Sequence, residues 1–350
     1  MKALIIAPAW VGDMVMAHTL VLALKAQDAD AEIHLAAPPM TAPLGTRMPG
    51  VHQVHELAVA HGALGWRERR RLGRALRGVG FDAAYVLPNS FKSALMPCWA
   101  GIPRRIGWLG EARFGLLNDW RRLDRDRHPQ MIERFMALAY PPGQCLPRPY
   151  PAPVLTVDGA NRNSLVERFG LATVEPVTIL CPGAEYGAAK RWPAEHFAAL
   201  ARERLKAGHG VWVIGSPGDQ ELGVAIAEAA PGTVNLAGRT RLTDALDLLS
   251  LADAVVTNDS GLMHVACALS VRVVALYGST SPEFTPPLDA NAQVLSLGLD
   301  CQPCFQRDCP LGHLNCLREL TPDAVARAMP WEPSACPNAR SAEAEGRTEP

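Results

Sequence analysis

Short apolar runs that alternate with helix-like segments constrain the fold of this chain more than any other feature. The first run, KALIIAPA, precedes a segment at residues 13–27 with apolar side chains at helical spacing, and the run AEIHLAAP follows it. Next come the run VHQVHEL, a basic helix-like segment at 65–78 and the run FDAAYVLP. Strands that alternate with helices in this way are typical of an α/β protein whose parallel sheet is covered by helices on both faces.

The alternation stops at a proline-rich stretch and then begins again. YPPGQCLPRPYPAPV, at residues 140–154, breaks the rhythm and indicates a linker or an extended segment that crosses between domains. Beyond it, helical patterns at 194–206 and 219–229 alternate with the strand-like runs EPVTILCPG, GVWVIGSPGD, DAVVTNDSG and VRVVALYGSTSP. The 350 residues also suffice for about two domains of roughly 150 residues each. We therefore predict two Rossmann-like domains, at 1–150 and 151–330, with a cleft between them.

Charge and composition exclude some classes of protein. The chain is 48% hydrophobic and has a formal net charge of −1, so it lacks the overall basic bias of a dedicated nucleic-acid binder. We expect no nucleic-acid partner. At residues 331–350 the apolar periodicity is lost, and we expect that tail to be disordered.

The N-terminal run imitates a secretion signal only in part. It is short, Gly12 and Asp13 interrupt it, and an amphipathic segment follows where a processing region would be expected. No apolar stretch elsewhere reaches the roughly 20 residues that cross a bilayer. We expect a cytoplasmic protein in which most of the nine cysteines are thiols.

The turns after the strand-like runs carry the polar residues. Ligands of open α/β sheets bind outside the carboxyl ends of the strands, so these turns predict the site. LPNSFKSA, CPGAEYGAAKRWP, TNDSGLMHVA and LYGSTSPEF combine small or hydroxyl residues with helix starts, whose free N–H groups suit an anion. Each turn alone is more often only a helix cap, but their recurrence predicts a diphosphate site in the second half. No GxxxxGK[ST] loop is present and no GxGxxG follows the first strand, which argues against a P-loop NTPase and a dinucleotide oxidoreductase.

A series of these motifs resembles the bacterial ADP-heptose:lipopolysaccharide heptosyltransferases. The motifs are APAWVGDMVMA, YVLPNSFKSAL, AGIPRRIGW, GLLND, CPGAEYGAAKRWP, NDSGLMHVA and LYGSTSPEFTPPL, and they occur in order from residue 1 to about 300. The resemblance implies a GT-B fold, with the acceptor on the N-terminal domain and the nucleotide sugar on the C-terminal domain. It also implies that heptose is transferred with inversion from ADP-heptose to heptosyl-Kdo2-lipid A, the inner core of lipopolysaccharide.

Asp13 matches the proposed catalytic base of that family. Inverting transfer needs a group that removes the proton of the acceptor hydroxyl, and a carboxylate within hydrogen-bond reach suffices. The other interpretation of Asp13 is a helix cap, because aspartate is favoured where a helix begins.

The resemblance places the donor site on the C-terminal half. Lys190 matches the family's phosphate-contacting lysine, and Asp259 would hold sugar hydroxyls or orient its loop. Glu221 could accept from the ribose hydroxyls. For His264, a packed core histidine is an equally good interpretation. The full set of predicted donor-binding residues is Lys190, Glu221, Asp259, Ser260, Gly261, Leu262 and His264.

On the acceptor side, Lys92, Arg104 and Arg105 could meet the carboxylates of Kdo or the phosphates of the core. Surface arginines are equally often only solvated. The basic segment at 67–77 could likewise contact anionic lipid at the cytoplasmic face of the inner membrane, although a solvated helix face is the simpler interpretation.

A cysteine-rich segment near the C-terminus suggests a separate site. Cys301, Cys304, Cys309 and Cys316 lie within sixteen residues, which is the composition of a structural zinc site, although their spacing fits no standard ribbon. Reduced thiols are the alternative, and the implied transfer requires no cofactor. Two other functions also remain compatible with this sequence, a nucleotide-sugar epimerase of the same architecture and a non-catalytic nucleotide-sugar sensor.

Overall fold

Two parallel six-stranded sheets form the framework of the protein in this computed structural model, which describes residues 1–59, 62–173 and 176–329. The strands of the first sheet are β1 Lys2–Ile6, β2 Glu32–Ala37, β3 Val51–Glu56, β4 Ala83–Val86, β5 Arg104–Trp108 and β6 Asp119–Arg121. Those of the second sheet are β7 Val177–Cys181, β8 Gly210–Val213, β9 Val234–Asn235, β10 Ala254–Asn258, β11 Val273–Leu276 and β12 Gln293–Leu295. This arrangement confirms the predicted α/β class.

Both sheets have the same strand order. The first is β3-β2-β1-β4-β5-β6, and the second, starting from its third strand, is β9-β8-β7-β10-β11-β12. In each sheet the order reverses between the first and fourth strands of that half, which are β1 and β4, and β7 and β10. This is the doubly wound order in which ligands bind at the reversal point.

Most of the helices lie between consecutive strands, as parallel pairing requires, and the last two follow β12. Those of the first half are α1 Val11–Gln27, α2 Ala42–Gly45, α3 Trp66–Leu76, α4 Leu95–Trp99 and α5 Met131–Met136. Those of the second half are α6 Gly159–Phe169, α7 Ala194–Lys206, α8 Gln220–Ala229, α9 Leu242–Leu249, α10 Gly261–Ala268, α11 Asn315–Arg318 and α12 Pro322–Arg327. The four helices predicted from sequence correspond to α1, α3, α7 and α8, with bounds that agree within two residues. No helix in the described part of the chain is long and apolar enough to span a bilayer.

The core explains why β1 is a continuous apolar run. Leu4 and Ile6 join the cluster on the α3–α4 side of the sheet, whereas Ala3 and Ile5 join the cluster on the α1 side. Because successive side chains point to opposite faces, a strand covered on both sides must be apolar at every position. The α1-side cluster continues through α10 into the second half, since α1 and α10 pack directly against each other.

The predicted linker crosses between the halves without helix or strand. Its last residue, Val154, donates its N–H to Nδ1 of His18 at 3.0 Å, and the N–H of the following Leu155 donates to the Ala268 carbonyl at 3.0 Å. Near its end, Arg47 of the first half forms a bidentate ion pair with the fully buried Asp247 of α9, with a shortest N–O distance of 2.9 Å. These contacts join the linker and the first half of the chain to α9 and α10 of the second half. The predicted disordered tail at 331–350 lies outside the described residues.

Candidate functional site

Asp13 lies where the first sheet reverses its strand order, in the first turn of α1 directly after β1. The N-cap residue of α1 is Trp10 and Asp13 is the third residue of the helix, so Asp13 is not its N-cap. Burial raises the pKa of the Asp13 carboxyl to about 6. The Lys190 ammonium has a smaller, opposite effect on this pKa. A carboxylate with this pKa is suited to accept a proton near neutral pH.

The space beside Asp13 is a cavity of about 760 Å³ that belongs wholly to the first half of the chain. Apolar side chains make up most of its wall, and the few polar groups include Asn89, Lys92 and Arg134. The Lys92 ammonium donates to the Gly62 carbonyl at 2.6 Å. The predicted base and one predicted acceptor-binding residue therefore share one cavity.

Polar side chains in the loops after the second sheet's strands form hydrogen bonds and an ion pair near its own reversal point. The Lys190 ammonium lies 2.6 Å from Oδ2 of Asp259, which also accepts from the hydroxyl of Thr280 at 2.5 Å. Asn258 joins the neighbouring loops, since its Oδ1 accepts from the Trp192 N–H at 3.0 Å and its Nδ2 donates to the Pro182 carbonyl at 2.7 Å. The structure thus brings Lys190 and Asp259 together, with two further residues that sequence analysis did not identify.

Two glycines let the starts of α1 and α10 approach each other. A Cβ atom on Gly261 would lie 2.7 Å from the Cβ of Val11, and one on Gly12 would lie 2.8 Å from Cδ2 of His264. Such distances are below any ordinary carbon contact, so a larger residue at either position would force the neighbouring side chain or the helix starts to move. Through this contact, the predicted base and the predicted phosphate-binding segment Ser260–Leu262 lie on two helix starts that touch.

His264 is therefore an interface residue between the halves. It is 3% exposed, and burial lowers the pKa of its imidazole to about 4, so the ring is neutral at pH 7. Its Nδ1 has no hydrogen-bond partner among the described residues. The contact of His264 with Gly12 agrees with its interpretation as a packed core histidine. Its contact with the nucleotide-sugar donor stays a prediction.

Glu221 and Asp219 lie in different environments near the start of α8. Glu221 is exposed in the first turn of α8, whereas Asp219 is buried and its Oδ2 accepts from the N–H and hydroxyl of Ser216. A Cβ atom on Gly183, in the loop after β7, would fall among the Asp219 carboxylate atoms. Asp219 therefore contacts the loop after β7, and the capping pattern SPGD was the signal that could have identified it. The predicted contact of Glu221 with the ribose stays a prediction.

The structure does not bring Arg104 and Arg105 to the cavity. They are the first residues of β5, at the amino end of the sheet, whereas Asp13 follows the carboxyl end of β1. Arg104 pairs with Asp119 at 2.8 Å, and Nε of Arg105 donates to the Leu116 carbonyl at 2.6 Å. Their contacts stabilise local structure, so their predicted acceptor role has no support from their position.

The four cysteines near the C-terminus line one small pocket. Cys301, Cys304, Cys309 and Cys316 are free thiols that line a cavity of about 20 Å³ together with His313. A hydrogen bond from the Leu314 N–H lowers the pKa of Cys309. In a tetrahedral zinc site the sulfur atoms lie about 3.8 Å apart, but among the described residues no three of these sulfurs lie within 4.8 Å of one another. A structural zinc at these cysteines stays a prediction.

Comparison with known proteins relates this site to one family. Residues 69–315 match the sequence model of the family described as glycosyltransferase family 9 (heptosyltransferase). The chain is 46% identical to lipopolysaccharide heptosyltransferase 2 of Escherichia coli K12 over 339 residues, which is 94% of this chain and 97% of that protein.

Solved structures agree with this match. The structure of E. coli ADP-heptose lps heptosyltransferase II superimposes with a TM-score of 0.84 at 44% identity, covering 94% of this chain and 97% of that one. E. coli heptosyltransferase WaaC with ADP gives a TM-score of 0.71 at 19% identity, over 93% and 98% of the two chains, and supports the fold alone. The protein has the GT-B fold, with two Rossmann-like domains. The chain belongs to glycosyltransferase family 9, the heptosyltransferases.

Proposed function

We propose that the protein is an inverting glycosyltransferase that moves L-glycero-D-manno-heptose from ADP-heptose to heptosyl-Kdo2-lipid A. The proposal rests on the contact between the two helix starts, where the carboxylate of raised pKa at Asp13 lies across from the segment that contains the Lys190–Asp259 ion pair. The similarity to lipopolysaccharide heptosyltransferase 2 over most of the chain supports the choice of donor and acceptor.

In the proposed reaction, Asp13 removes the proton of the acceptor hydroxyl as its oxygen attacks the anomeric carbon of the heptose. The bond between that carbon and the diphosphate oxygen breaks on the opposite face, so the configuration inverts and ADP leaves. The cavity beside Asp13 takes the acceptor sugar, and Lys92 in its wall meets an acidic group of the inner core.

The second sheet binds the donor in this proposal. Lys190 and the N–H groups of Ser260, Gly261 and Leu262 at the start of α10 meet the diphosphate, whose negative charge increases as the bond breaks. Asp259, which is paired with Lys190, accepts from the sugar hydroxyls. Glu221, on the exposed face of α8, accepts from the ribose hydroxyls. Asp219 positions the loop after β7 and does not touch the donor.

We further propose that the acceptor and donor domains divide near residue 150, within the linker. The protein would act in the cytoplasm at the face of the inner membrane, because its acceptor is a lipid. The basic helix α3, which carries most of the segment at 67–77, is the proposed point of peripheral contact. No step of the proposed reaction passes through a metal ion.

The proposal is tested by incubating the protein with ADP-heptose and heptosyl-Kdo2-lipid A and determining the masses of the products. We expect an acceptor heavier by one heptosyl residue and one ADP for each acceptor consumed. An epimerase would change the donor without making the acceptor heavier. A non-catalytic sensor would bind ADP-heptose and leave both substrates unchanged.

A further inference from the structure

A second cluster of polar side chains lies on the first sheet, away from Asp13. Glu32 and His34 belong to β2, near its amino end, and His52 belongs to the adjacent edge strand β3. The register between the two strands shifts there, because Ile33 pairs with Val51 and the next residue, His34, pairs with Gln53. His52 is thus an extra residue in the edge strand, and such a bulge redirects a side chain.

The three side chains present their ligand atoms to one point. One nitrogen of each histidine and one carboxylate oxygen of Glu32 all lie within 4.8 Å of one another. Between His34 Nε2 and Glu32 Oε2 the distance is 3.9 Å, which is too long for a hydrogen bond. Glu32 and His52 remain accessible to solvent, so an ion could enter.

His34 is the unusual member of this cluster. Only 3% of the residue is exposed, and its Nε2 is buried with no hydrogen-bond partner among the described residues. A buried polar atom without a partner is unfavourable, and in native proteins it calls for an explanation such as an ion or ordered water.

The opposite nitrogen of the same ring is held in place. Nδ1 of His34 lies 3.0 Å from Nε2 of His55, and the two rings stack at an interplanar angle of 6°. Phe81 packs edge-on against His34 with ring centroids 5.0 Å apart. When Nδ1 carries the hydrogen and donates to His55, the lone pair of Nε2 points at Glu32 and His52. A metal-binding histidine is commonly oriented in this way by a hydrogen bond from its other nitrogen.

One contact opposes an ion at this place. The Lys2 ammonium pairs with Oε2 of Glu32 at 2.9 Å, and it would compete with a cation for that oxygen. Both side chains of the pair are partly exposed, so the interaction is weak and can be exchanged.

We propose that Glu32, His34 and His52 bind a divalent transition-metal ion of the Zn²⁺ class, with solvent completing its coordination. Two imidazoles and one carboxylate are ligands that Zn²⁺ prefers, at about 2.0–2.2 Å. The exposed His52 supplies the small movement that this distance requires. The bound ion would connect the edge strand β3 to β2 and stabilise that side of the sheet, independently of the proposed transferase activity.

The proposal is tested by titrating Zn²⁺ into the full chain, without a purification tag, by calorimetry. We expect His52→Ala and Glu32→Gln each to weaken binding at this site at least tenfold, because each removes one of three ligands. Gln53→Ala, an exposed neighbour on the same strand, is the matched control and should bind like the unmodified chain. Lys2→Ala should bind more tightly, since it removes the competing ammonium.

Two further measurements separate this site from the cysteine cluster. Zn²⁺ should raise the melting temperature of the unmodified chain and of Gln53→Ala, and raise that of His52→Ala less. Co²⁺ that binds to the unmodified chain but not to His52→Ala should lack the charge-transfer absorption of cobalt–thiolate bonds. This is seen in the difference between the Co²⁺ spectra of the two proteins. The proposal is overturned if His52→Ala and Glu32→Gln bind Zn²⁺ like the unmodified chain, or if all bound Co²⁺ shows thiolate absorption.

Discussion

The two sheets have the same strand order, but the charged residues at their carboxyl edges differ in their surroundings. At the first edge, Asp13 borders a mainly apolar cavity, and burial raises the pKa of its carboxyl to about 6. At the second edge, the charges are already paired, since Lys190 and Asp259 lie 2.6 Å apart and Thr280 donates to the same carboxylate. In the proposed reaction, the first edge supplies the proton acceptor and the second edge binds the diphosphate.

The largest expected effect comes from removing the base at the first edge. Asp13→Asn should lower turnover by about 10²- to 10⁴-fold, the usual contribution of a general base, while ADP affinity stays within about twofold of normal. The measurement is steady-state transfer together with ADP calorimetry. Asp30→Asn, an exposed carboxylate in the turn after α1, is the control. Near-normal turnover of Asp13→Asn would remove it from the mechanism.

The second edge should respond in the opposite way, with a loss of binding. Lys190→Ala should weaken ADP binding by about 1.5–3 kcal/mol, because it removes a charge-assisted contact to the diphosphate. Arg191→Ala changes the adjacent, exposed residue and should bind ADP normally. Equal ADP affinities for the two variants, measured by calorimetry, would place Lys190 outside the donor site.

The contact between the two edges can be tested through Gly12. A Cβ atom there would lie 2.8 Å from Cδ2 of His264, so Gly12→Ala must displace the buried ring or separate the helix starts. We expect turnover to fall on the order of tenfold, since small misplacements of reacting groups are costly. Adding His264→Ala makes room for the methyl group, and the double variant should recover part of the loss. A double variant slower than both single variants would argue against this contact.

The smallest expected effect is on the free energy of unfolding, and it comes from the buried carboxyl at the first edge. The pKa of Asp13 is raised from 3.8 to about 6, so the folded state favours the protonated form. The associated stabilisation is present below pH 3.8 and lost as the pH rises through about 6. The shift corresponds to at most about 3 kcal/mol, and partial exposure and the lost helix-dipole contact reduce the net gain of Asp13→Asn to about 1–2 kcal/mol near pH 7.5. Urea unfolding should show this gain, and it should shrink towards pH 4; a variant less stable than the unmodified chain near pH 7.5 would contradict it.

Some of this site could be predicted from the sequence because it follows local patterns. The apolar runs indicate the strands, and the turns after β1, β7 and β10 contain Asp13, Lys190 and Asp259. Parallel strands place those turns at the same edge of each sheet, so their grouping follows from the alternation alone.

Other features depend on information that a local pattern does not contain. The motif with Arg104 and Arg105 shows a basic pair beside a strand, but not that they begin β5 at the edge away from the cavity. Asp219 and Glu221 are two residues apart at a helix start, where each residue turns the side-chain direction by about 100°. The contact of Gly12 with His264 joins distant parts of the chain and depends on how the two sheets pack.

The pH dependence of transfer tests most directly whether Asp13 is the catalytic base of a site that is shared between the two domains. We would measure kcat/KM for the donor from about pH 5 to about pH 8, because this constant reports ionisations of the free enzyme. The account predicts that kcat/KM falls tenfold per pH unit below about pH 6, the pKa of Asp13, and that the residual activity of Asp13→Asn lacks this decline. A decline at the same pH in Asp13→Asn, or a rate independent of pH in the unmodified protein, would contradict it.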